Sequence, residues 1–251
     1  MKQSLAGIAV LVTRPPPAAM QMAQRVRQLG GTAICLPGVE LVAASDTEPS
    51  LAYLDQLTAD DIVIFTSANA VQFALQRKPA AQWPHGIPWV ALGQRTAAAL
   101  ASAGMKNVVV PVDGADSESV LQLPLLRAVA GRRVLIACAP GGRQLLQSEL
   151  LTRGAEVLPV FLYQRKPPVP DAGVLGEIRR LIDQLVITAS SVAILENITV
   201  LLGPGGRQRP LCVISKRIEQ RARELGYSQV HLAKGPDDQA LLAAVIAIGT
   251  A

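Results

Sequence analysis

The chain repeats its own sequence pattern at a spacing of more than 120 residues, and this duplication limits the available folds more than any other feature. The segment "VALGQRTAAALASAG" from Val90 matches "CVISKRIEQRARELG" from Cys212 at an offset of 122 residues. Near the start, "VLVTRPPPAAMQMAQRVRQLGG" from Val10 matches "VLIACAPGGRQLLQSELLTRGA" from Val134 at an offset of 124. Solenoid repeats are only about 20 to 50 residues long. Each copy is therefore a domain-sized unit.

Each copy alternates apolar strand-like runs with segments of helical spacing. The runs "IAVLVT", "IVIFT", "WVALG" and "NVVVP" are rich in β-branched residues, and glycines end the helical segments that follow. Those glycines are Gly30, Gly104, Gly154 and Gly226. Glycine closes a helix because it readily adopts the left-handed conformation. Buried strands that alternate with helices predict parallel α/β sheets, here two flavodoxin-like doubly wound domains.

Length and composition exclude several classes of protein. With 251 residues and 50% hydrophobic content, the chain can bury two modest cores. The apolar run "LLAAVIAI" from Leu241 is shorter than the roughly 18 to 20 residues that span a membrane, and no signal-peptide cleavage region follows the start. We expect a soluble, cytoplasmic protein that does not contact membranes. Cys35, Cys138 and Cys212 lie far apart in apolar sequence, which predicts buried thiols with neither disulfides nor a metal site.

The charge pattern favours an acidic small molecule over a nucleic acid. The net charge is +5, no run of Lys or Arg exceeds two residues, and aromatic residues make up only 3% of the chain. Nucleic-acid binders usually carry a basic stripe, with aromatic residues for stacking. Dinucleotide and triphosphate motifs do not occur in the sequence, and "GPGGRQRP" from Gly203 has the composition of a surface loop.

Small or hydroxylated residues follow the predicted strands where a helix begins. In open α/β sheets, ligands bind beyond the carboxyl ends of the strands. A helix start offers unpaired N–H groups and the positive end of a dipole, which suits a carboxylate or a phosphate. A single turn of this kind is ordinary helix capping, but six such turns predict a site for a polyanion. They begin at Thr13, Thr66, Gly93, Pro140, Thr188 and Ser215.

In these stretches the chain resembles the uroporphyrinogen-III synthase family over essentially its full length. The resemblance is carried by "VLVTRP", "VIFTSANAV", "ALGQRTAAAL", "VLIACAPGGRQLLQSELLTRGAEVLPVFLYQR", "LVITASS" and "CVISKRIEQRARELG", in that order. It implies a cofactor-free lyase of haem, sirohaem or cobalamin biosynthesis. Such an enzyme cyclises hydroxymethylbilane, a linear tetrapyrrole with eight carboxylates, with loss of water and inversion of ring D through a spiro intermediate. The expected partner is this polycarboxylate; transient contact with hydroxymethylbilane synthase is also considered, and a monomer is the simplest expectation.

The family architecture implies two α/β domains that are joined by two strand-like linkers, with the active site between them. The first domain would comprise residues 1–36 and 164–251, and the second would comprise residues 40–158. The linkers would fall near residues 36–40 and 158–164, the segments that contain Pro37 and Pro159. The offset between the two copies is expected to fall from 124 to 122 at this pair of prolines.

The resemblance also implies the site residues. Tyr163 in the second linker would help the leaving hydroxyl depart by donating a hydrogen bond or a proton, and Thr96 would be a second catalytic hydroxyl. The expected substrate contacts are Thr13, Arg14, Thr66, Ser67, Ala68, Gly93, Gln94, Pro140, Gly141, Ser190, Ser191, Ser215 and Lys216. Neither a metal nor a cofactor is expected.

The second copy is expected to lack two hydroxyls. Aligning Thr66 with Thr188 puts Ala189 in the place of Ser67, and Ile218 stands where the first copy has Thr96. Two other functions remain open. One is a non-catalytic bilobed protein that binds an anionic small molecule, and the other is a duplicated enzyme that acts on a phosphorylated metabolite.

Overall fold

The computed structural model describes residues 5–16, 18–141, 144–235 and 237–249. The chain divides into two compact units, of which unit 1 comprises Met1–Glu40 with Lys166–Ala251, and unit 2 comprises Leu41–Arg165. Within the described ranges, no helix is long and apolar enough to cross a membrane.

The described residues form twelve strands and ten α-helices. The strands are β1 (Ala9–Val12), β2 (Thr32–Cys35), β3 (Glu40–Ala43), β4 (Ile62–Phe65), β5 (Trp89–Ala91), β6 (Val108–Val109), β7 (Arg133–Cys138), β8 (Glu156–Phe161), β9 (Tyr163–Lys166), β10 (Leu185–Ala189), β11 (Leu211–Val213) and β12 (Val230–Leu232). The helices are α1 (Ala18–Gln28), α2 (Ala52–Asp55), α3 (Ala68–Arg77), α4 (Gln94–Ser102), α5 (Ser117–Leu121), α6 (Leu145–Thr152), α7 (Ala172–Arg180), α8 (Val192–Arg207), α9 (Lys216–Glu224) and α10 (Asp238–Gly249). Short 3-10 helices lie at Pro49–Leu51, Ala80–Gln82, Pro124–Leu126 and Ile182–Gln184.

Each unit contains one five-stranded parallel sheet, which confirms the predicted fold class. The order is β12-β11-β10-β1-β2 in unit 1 and β6-β5-β4-β7-β8 in unit 2. If β1 and β2 of unit 1, and β7 and β8 of unit 2, are numbered as strands 1 and 2, and the other three strands follow in chain order, both sheets have the 2-1-3-4-5 order of flavodoxin-like domains. A separate two-stranded sheet pairs β3 with β9, and the chain passes from one unit to the other within these two strands.

The two sequence copies exchange strands to build these sheets. The first copy supplies β1 and β2 to unit 1 but β4, β5 and β6 to unit 2, and the second copy does the reverse. Each five-stranded sheet is therefore made of two strands from one copy and three from the other. The central contacts are the parallel pairs β1 with β10 and β4 with β7.

Both faces of the sheet in unit 2 are buried, as a doubly wound fold requires. Val63 and Phe65 point to the core that contains α3, whereas Ile62 and Ile64 point to the core that contains α5 and α6. Successive strand residues face opposite sides of a sheet. This explains why "IVIF" is a continuous apolar run instead of an alternating one. The four glycines predicted to close helices all have positive φ, between 80° and 89°.

The strand register corrects the alignment of the two copies. Val63 pairs with Trp89 in β5, and Ile187 pairs with Leu211 in β11. Val63 and Ile187 are thus equivalent and lie 124 residues apart, whereas Trp89 and Leu211 lie 122 apart. The second copy is therefore two residues shorter than the first between two equivalent strands, which are β10 and β11 in the second copy and β4 and β5 in the first. The match of Thr66 with Thr188 is wrong by two positions, because two similar apolar strands align equally well after a two-residue slip.

The strands β2 and β8 also keep the offset of 124. Ala33 pairs with Val10 in the first copy, and Val157 pairs with Val134 in the second. The predicted change of offset at the two linker prolines is therefore wrong. Residues 158–161 of the expected second linker lie within β8, and their pairing with β7 runs to its last residue, Phe161.

Two further predictions from composition are wrong. The first five residues of the segment that starts at Gly203 belong to α8, which ends at Arg207; the helix is kinked at Gly203, which has φ 60° and ψ −156°, and Pro204 follows it. Cys35, the last residue of β2, is exposed, whereas Cys212 is buried as expected.

Close packing at Gly38 generates the first prediction. A Cβ atom at Gly38 would lie 2.6 Å from Cγ2 of Ile194, a buried residue in the first turn of α8, whereas Gly176 in α7 has nothing within 4 Å. Overpacking costs about 1 to 3 kcal/mol. We expect Gly38→Ala to lower the free energy of unfolding by about that amount in urea denaturation. The control Gly176→Ala should raise it by up to about 1 kcal/mol, and equal effects of the two changes would contradict the packing argument.

Candidate active site

A cavity of about 370 Å³ lies in unit 2 at the carboxyl ends of the sheet strands. Parallel strands bring their carboxyl ends to one edge, where open α/β sheets bind ligands. The cavity is lined by Thr66, Ser67, Leu92, Ser117, Ile136, Cys138, Ala139, Gly141, Gln144, Leu146, Gln147, Pro159, Phe161, Tyr163 and Arg165. Four of these residues were predicted from the sequence, namely Thr66, Ser67, Gly141 and Tyr163.

A hydrogen bond joins the hydroxyl groups of Tyr163 and Ser67, whose oxygens lie 3.2 Å apart. Ser67 is the N-cap of α3, and its oxygen accepts a hydrogen bond from the Ala70 N–H at 3.1 Å. With its oxygen engaged in this way, Ser67 can donate its own proton to Tyr163. In that arrangement the Tyr163 proton is available to a group in the cavity, so the capped helix orients the tyrosine hydroxyl.

The ring of Tyr163 stacks on a neighbouring aromatic ring and lies near a guanidinium group. Phe73 from α3 stacks against it with ring centroids 5.1 Å apart and planes 13° from parallel. The Arg165 guanidinium carbon lies 6.0 Å from the ring centroid. Tyr163 is 1% exposed, although it is one of the residues that line the cavity. A ring fixed in this way keeps its hydroxyl in one place, which is the property that a positioned proton donor needs.

Several polar lining residues were missed by sequence reasoning. Ser117 and Gln147 come from helices α5 and α6, and no motif marks them. Cys138 ends β7 beside the cavity, and burial raises the pKa of its thiol to about 11. The thiol is therefore protonated at neutral pH and is a poor nucleophile. Arg165 had a usable signal, because it follows Tyr163 by two residues and strand neighbours two apart share a face.

The structure does not bring every predicted residue of unit 2 to the cavity. Thr96 is 5% exposed in the first turn of α4 and does not line it. Ala68, Gln94 and Pro140 are likewise outside the lining residues. Gly93 has a packing role, since a Cβ atom there would lie 2.8 Å from the Cβ of Ala115.

In unit 1, two predicted threonines hold the central strand pair together. The Thr13 hydroxyl donates to the Thr188 carbonyl at 2.6 Å, and the Thr188 hydroxyl donates to the Leu11 carbonyl at 2.7 Å. Thr13 is 0% exposed. The expected substrate contact of Thr13 therefore has to be revised, because its only hydroxyl proton is used inside the sheet. Thr66 resembles it in donating to the Ala137 carbonyl at 3.1 Å, but Thr66 also lines the cavity of unit 2.

The remaining candidates in unit 1 lie at helix starts. Ser191 and Ser215 are the N-caps of α8 and α9, and each accepts a hydrogen bond from the N–H three residues later. Lys216 is the exposed first residue of α9, and Ser190 is half-buried after β10. Arg14 forms a salt bridge with Asp238, in which Nε lies 2.8 Å from Oδ1.

Comparison with known proteins distinguishes between the functions that the sequence left open. A family model described as Uroporphyrinogen-III synthase HemD matches residues 20–243. The chain belongs to the uroporphyrinogen-III synthase family. The uroporphyrinogen-III synthase of Salmonella typhimurium is 36% identical, with 95% of this chain and 100% of the relative covered. The Escherichia coli protein of the same name is 33% identical over 95% of this chain and 100% of its own length.

Solved structures of the family have the same fold. The uroporphyrinogen-III synthetase of Helicobacter pylori matches with a TM-score of 0.60 at 17% identity, covering 96% of this chain and 99% of that one. A mutant uroporphyrinogen III synthase from Thermus thermophilus matches with a TM-score of 0.55 at 17% identity, covering 95% and 97%. At these identities the likeness concerns the fold, which agrees with the two parallel α/β sheets seen here.

The threonine pair of unit 1 generates a second prediction. Thr13→Val removes a buried hydrogen bond while keeping the shape of the side chain, so we expect a loss of about 1 kcal/mol in the free energy of unfolding. Because Thr13 is inaccessible, KM should stay unchanged. Thr152→Val is the control, since that exposed hydroxyl bonds only within its helix, and it should change stability by less than about 0.5 kcal/mol. A raised KM for Thr13→Val with unchanged stability would restore Thr13 as a substrate contact.

Proposed function

We propose that the protein is a uroporphyrinogen-III synthase that cyclises hydroxymethylbilane with inversion of ring D and loss of water. Family membership over residues 20–243 supports this activity over a non-catalytic binding protein. The observation that carries the mechanism is the hydrogen-bonded pair of Tyr163 and Ser67 beside a cavity at the strand ends. A binding protein has no need of an oriented proton donor, whereas departure of a hydroxyl group does.

The proposed role of Tyr163 is to donate a hydrogen bond or proton to the departing hydroxyl. Ser67 holds the tyrosine oxygen, and Phe73 holds the ring. Departure of the hydroxyl leaves an azafulvene-like cation. We attribute the rate mainly to positioning of the reacting groups and to electrostatic stabilisation of that cation.

We further propose that the enzyme works in the cytoplasm, as a monomer that receives its unstable substrate through transient contact with hydroxymethylbilane synthase. The exposed, unpaired thiol of Cys35 is ordinary in a reducing compartment. The mild excess of positive charge in the sequence, +5, suits a substrate that carries eight carboxylates.

Product analysis tests the activity. Freshly prepared hydroxymethylbilane is incubated with the protein, and the oxidised products are separated into type I and type III isomers. The proposal requires type III in excess over the protein-free control. If only type I forms, as it does spontaneously, the synthase proposal is wrong.

A third prediction concerns the tyrosine. We expect Tyr163→Phe to lower kcat by at least about tenfold, within the range that a positioned acid contributes, while thermal unfolding shows a folded protein. Tyr227→Phe is a matched control, because the Tyr227 hydroxyl is also buried and bonds to Thr199 at 3.1 Å in unit 1. It should cost similar stability without slowing the reaction. An unchanged rate in Tyr163→Phe would remove this hydroxyl from the mechanism.

A further inference from the structure

The described lining of the cavity in unit 2 has a single charged residue, and the proposed function does not by itself explain its presence. Among the lining residues that the structure describes, Arg165 is the one charged side chain. The rest are apolar, like Leu92 and Ile136, or neutral and polar, like Ser117 and Gln147. A ligand that fills this space therefore meets apolar walls, neutral hydrogen-bonding groups and a single positive charge.

Arg165 has no acidic partner in the described part of the chain. Its neighbour is the Tyr163 ring, 6.0 Å away, and no carboxylate of the described residues lies within salt-bridge distance. Other arginines of unit 2 are engaged, such as Arg133 with Asp61 at 3.0 Å. The guanidinium fork matches the geometry of a carboxylate and can bind it through two parallel hydrogen bonds.

The size of the cavity limits what can enter it. Ligand pockets hold drug-sized molecules in roughly 300 to 1,000 Å³, so about 370 Å³ lies near the lower limit. One substituted pyrrole ring with its carboxylate arms fits this space, and a tetrapyrrole of four such rings does not. The apolar lining residues, among them Phe161, suit the faces of the ring.

We propose that this cavity is a subsite for a single pyrrole ring and that Arg165 binds one carboxylate arm of that ring beside the Tyr163 hydroxyl. The assignment rests on the proposed function, which makes a pyrrole carboxylate the substrate. It places the ring that bears the departing hydroxyl here, because Tyr163 can assist only a group that lies in the same cavity. Arg165 is thus a binding residue that fixes one ring, and Tyr163 is the residue that acts on it.

The direct test uses a monopyrrole with one acetate and one propionate arm, whose binding needs no catalysis. Amide chemical shifts of the cavity residues report its titration into the intact protein. We expect binding to weaken about tenfold or more in Arg165→Gln, because a charged hydrogen bond is lost. Arg165→Lys should recover part of it, and Arg127→Gln, an exposed arginine outside the cavity, should have no effect. The dimethyl ester of the same pyrrole should bind weakly to every variant.

Kinetics with hydroxymethylbilane give a second readout. In Arg165→Gln we expect KM to rise about tenfold with a smaller change in kcat, the opposite of Tyr163→Phe. The proposal is overturned if Arg165→Gln binds the dicarboxylate as well as wild type, if the diester binds equally well, or if inorganic phosphate displaces the pyrrole at equal concentration. If the wild type forms no type III isomer but still binds the pyrrole through Arg165, the proposed function fails while the carboxylate subsite stands.

Discussion

The parallel pairing of β4 with β7 is the constraint on which the candidate site depends. One strand comes from each sequence copy, so neither copy completes the sheet from its own strands. Because both strands run in the same direction, their carboxyl ends open at one edge. Ser67 follows the last residue of β4 by two positions, and Tyr163 follows the last residue of β8 by two positions. Residues 96 positions apart thus come within hydrogen-bond distance, and the cavity forms between the elements that carry them.

Duplication gave the two units similar strand ends, but the register shows that, among the described residues, the tyrosine and serine pair occurs in unit 2 and not at the equivalent positions of unit 1. At the offset of 124, Ser191 is equivalent to Ser67, and both cap a helix after a central strand. The same offset places Val39, which is buried, at the position of Tyr163. The asymmetry therefore lies in the tyrosine and not in the serines, contrary to the prediction that Ala189 replaces Ser67. An enzyme that must treat one ring of four differently has a use for such an inequality.

Sequence reasoning found the features that depend on local pattern and missed those that depend on register. Strand and helix alternation, and the glycines that close helices, follow from side-chain size and backbone freedom, so they could be predicted. From the sequence alone, a hydroxyl residue that follows a strand could equally well form a hydrogen bond inside the sheet or face a cavity. Thr13 donates its proton inside the sheet, whereas Ser67 presents its hydroxyl to a cavity. Only the pairing of strands distinguishes them, and for the same reason Ser117 could not be found.

If Arg165 binds a carboxylate of the substrate as proposed, its positive charge opposes formation of the cation before the substrate binds but not afterwards. Loss of the hydroxyl creates a positive charge close to Tyr163, and an unpaired guanidinium 6.0 Å from that ring would oppose it. A bound carboxylate cancels the guanidinium charge, so the cation then forms beside a neutral pair. The second carboxylate of the same ring remains free to stabilise the cation. A cavity whose one charged lining residue, among those the structure describes, is Arg165 therefore favours formation of the cation only after the carboxylate of the ring has bound to that arginine. Departure of the hydroxyl is thus linked to correct placement of the substrate.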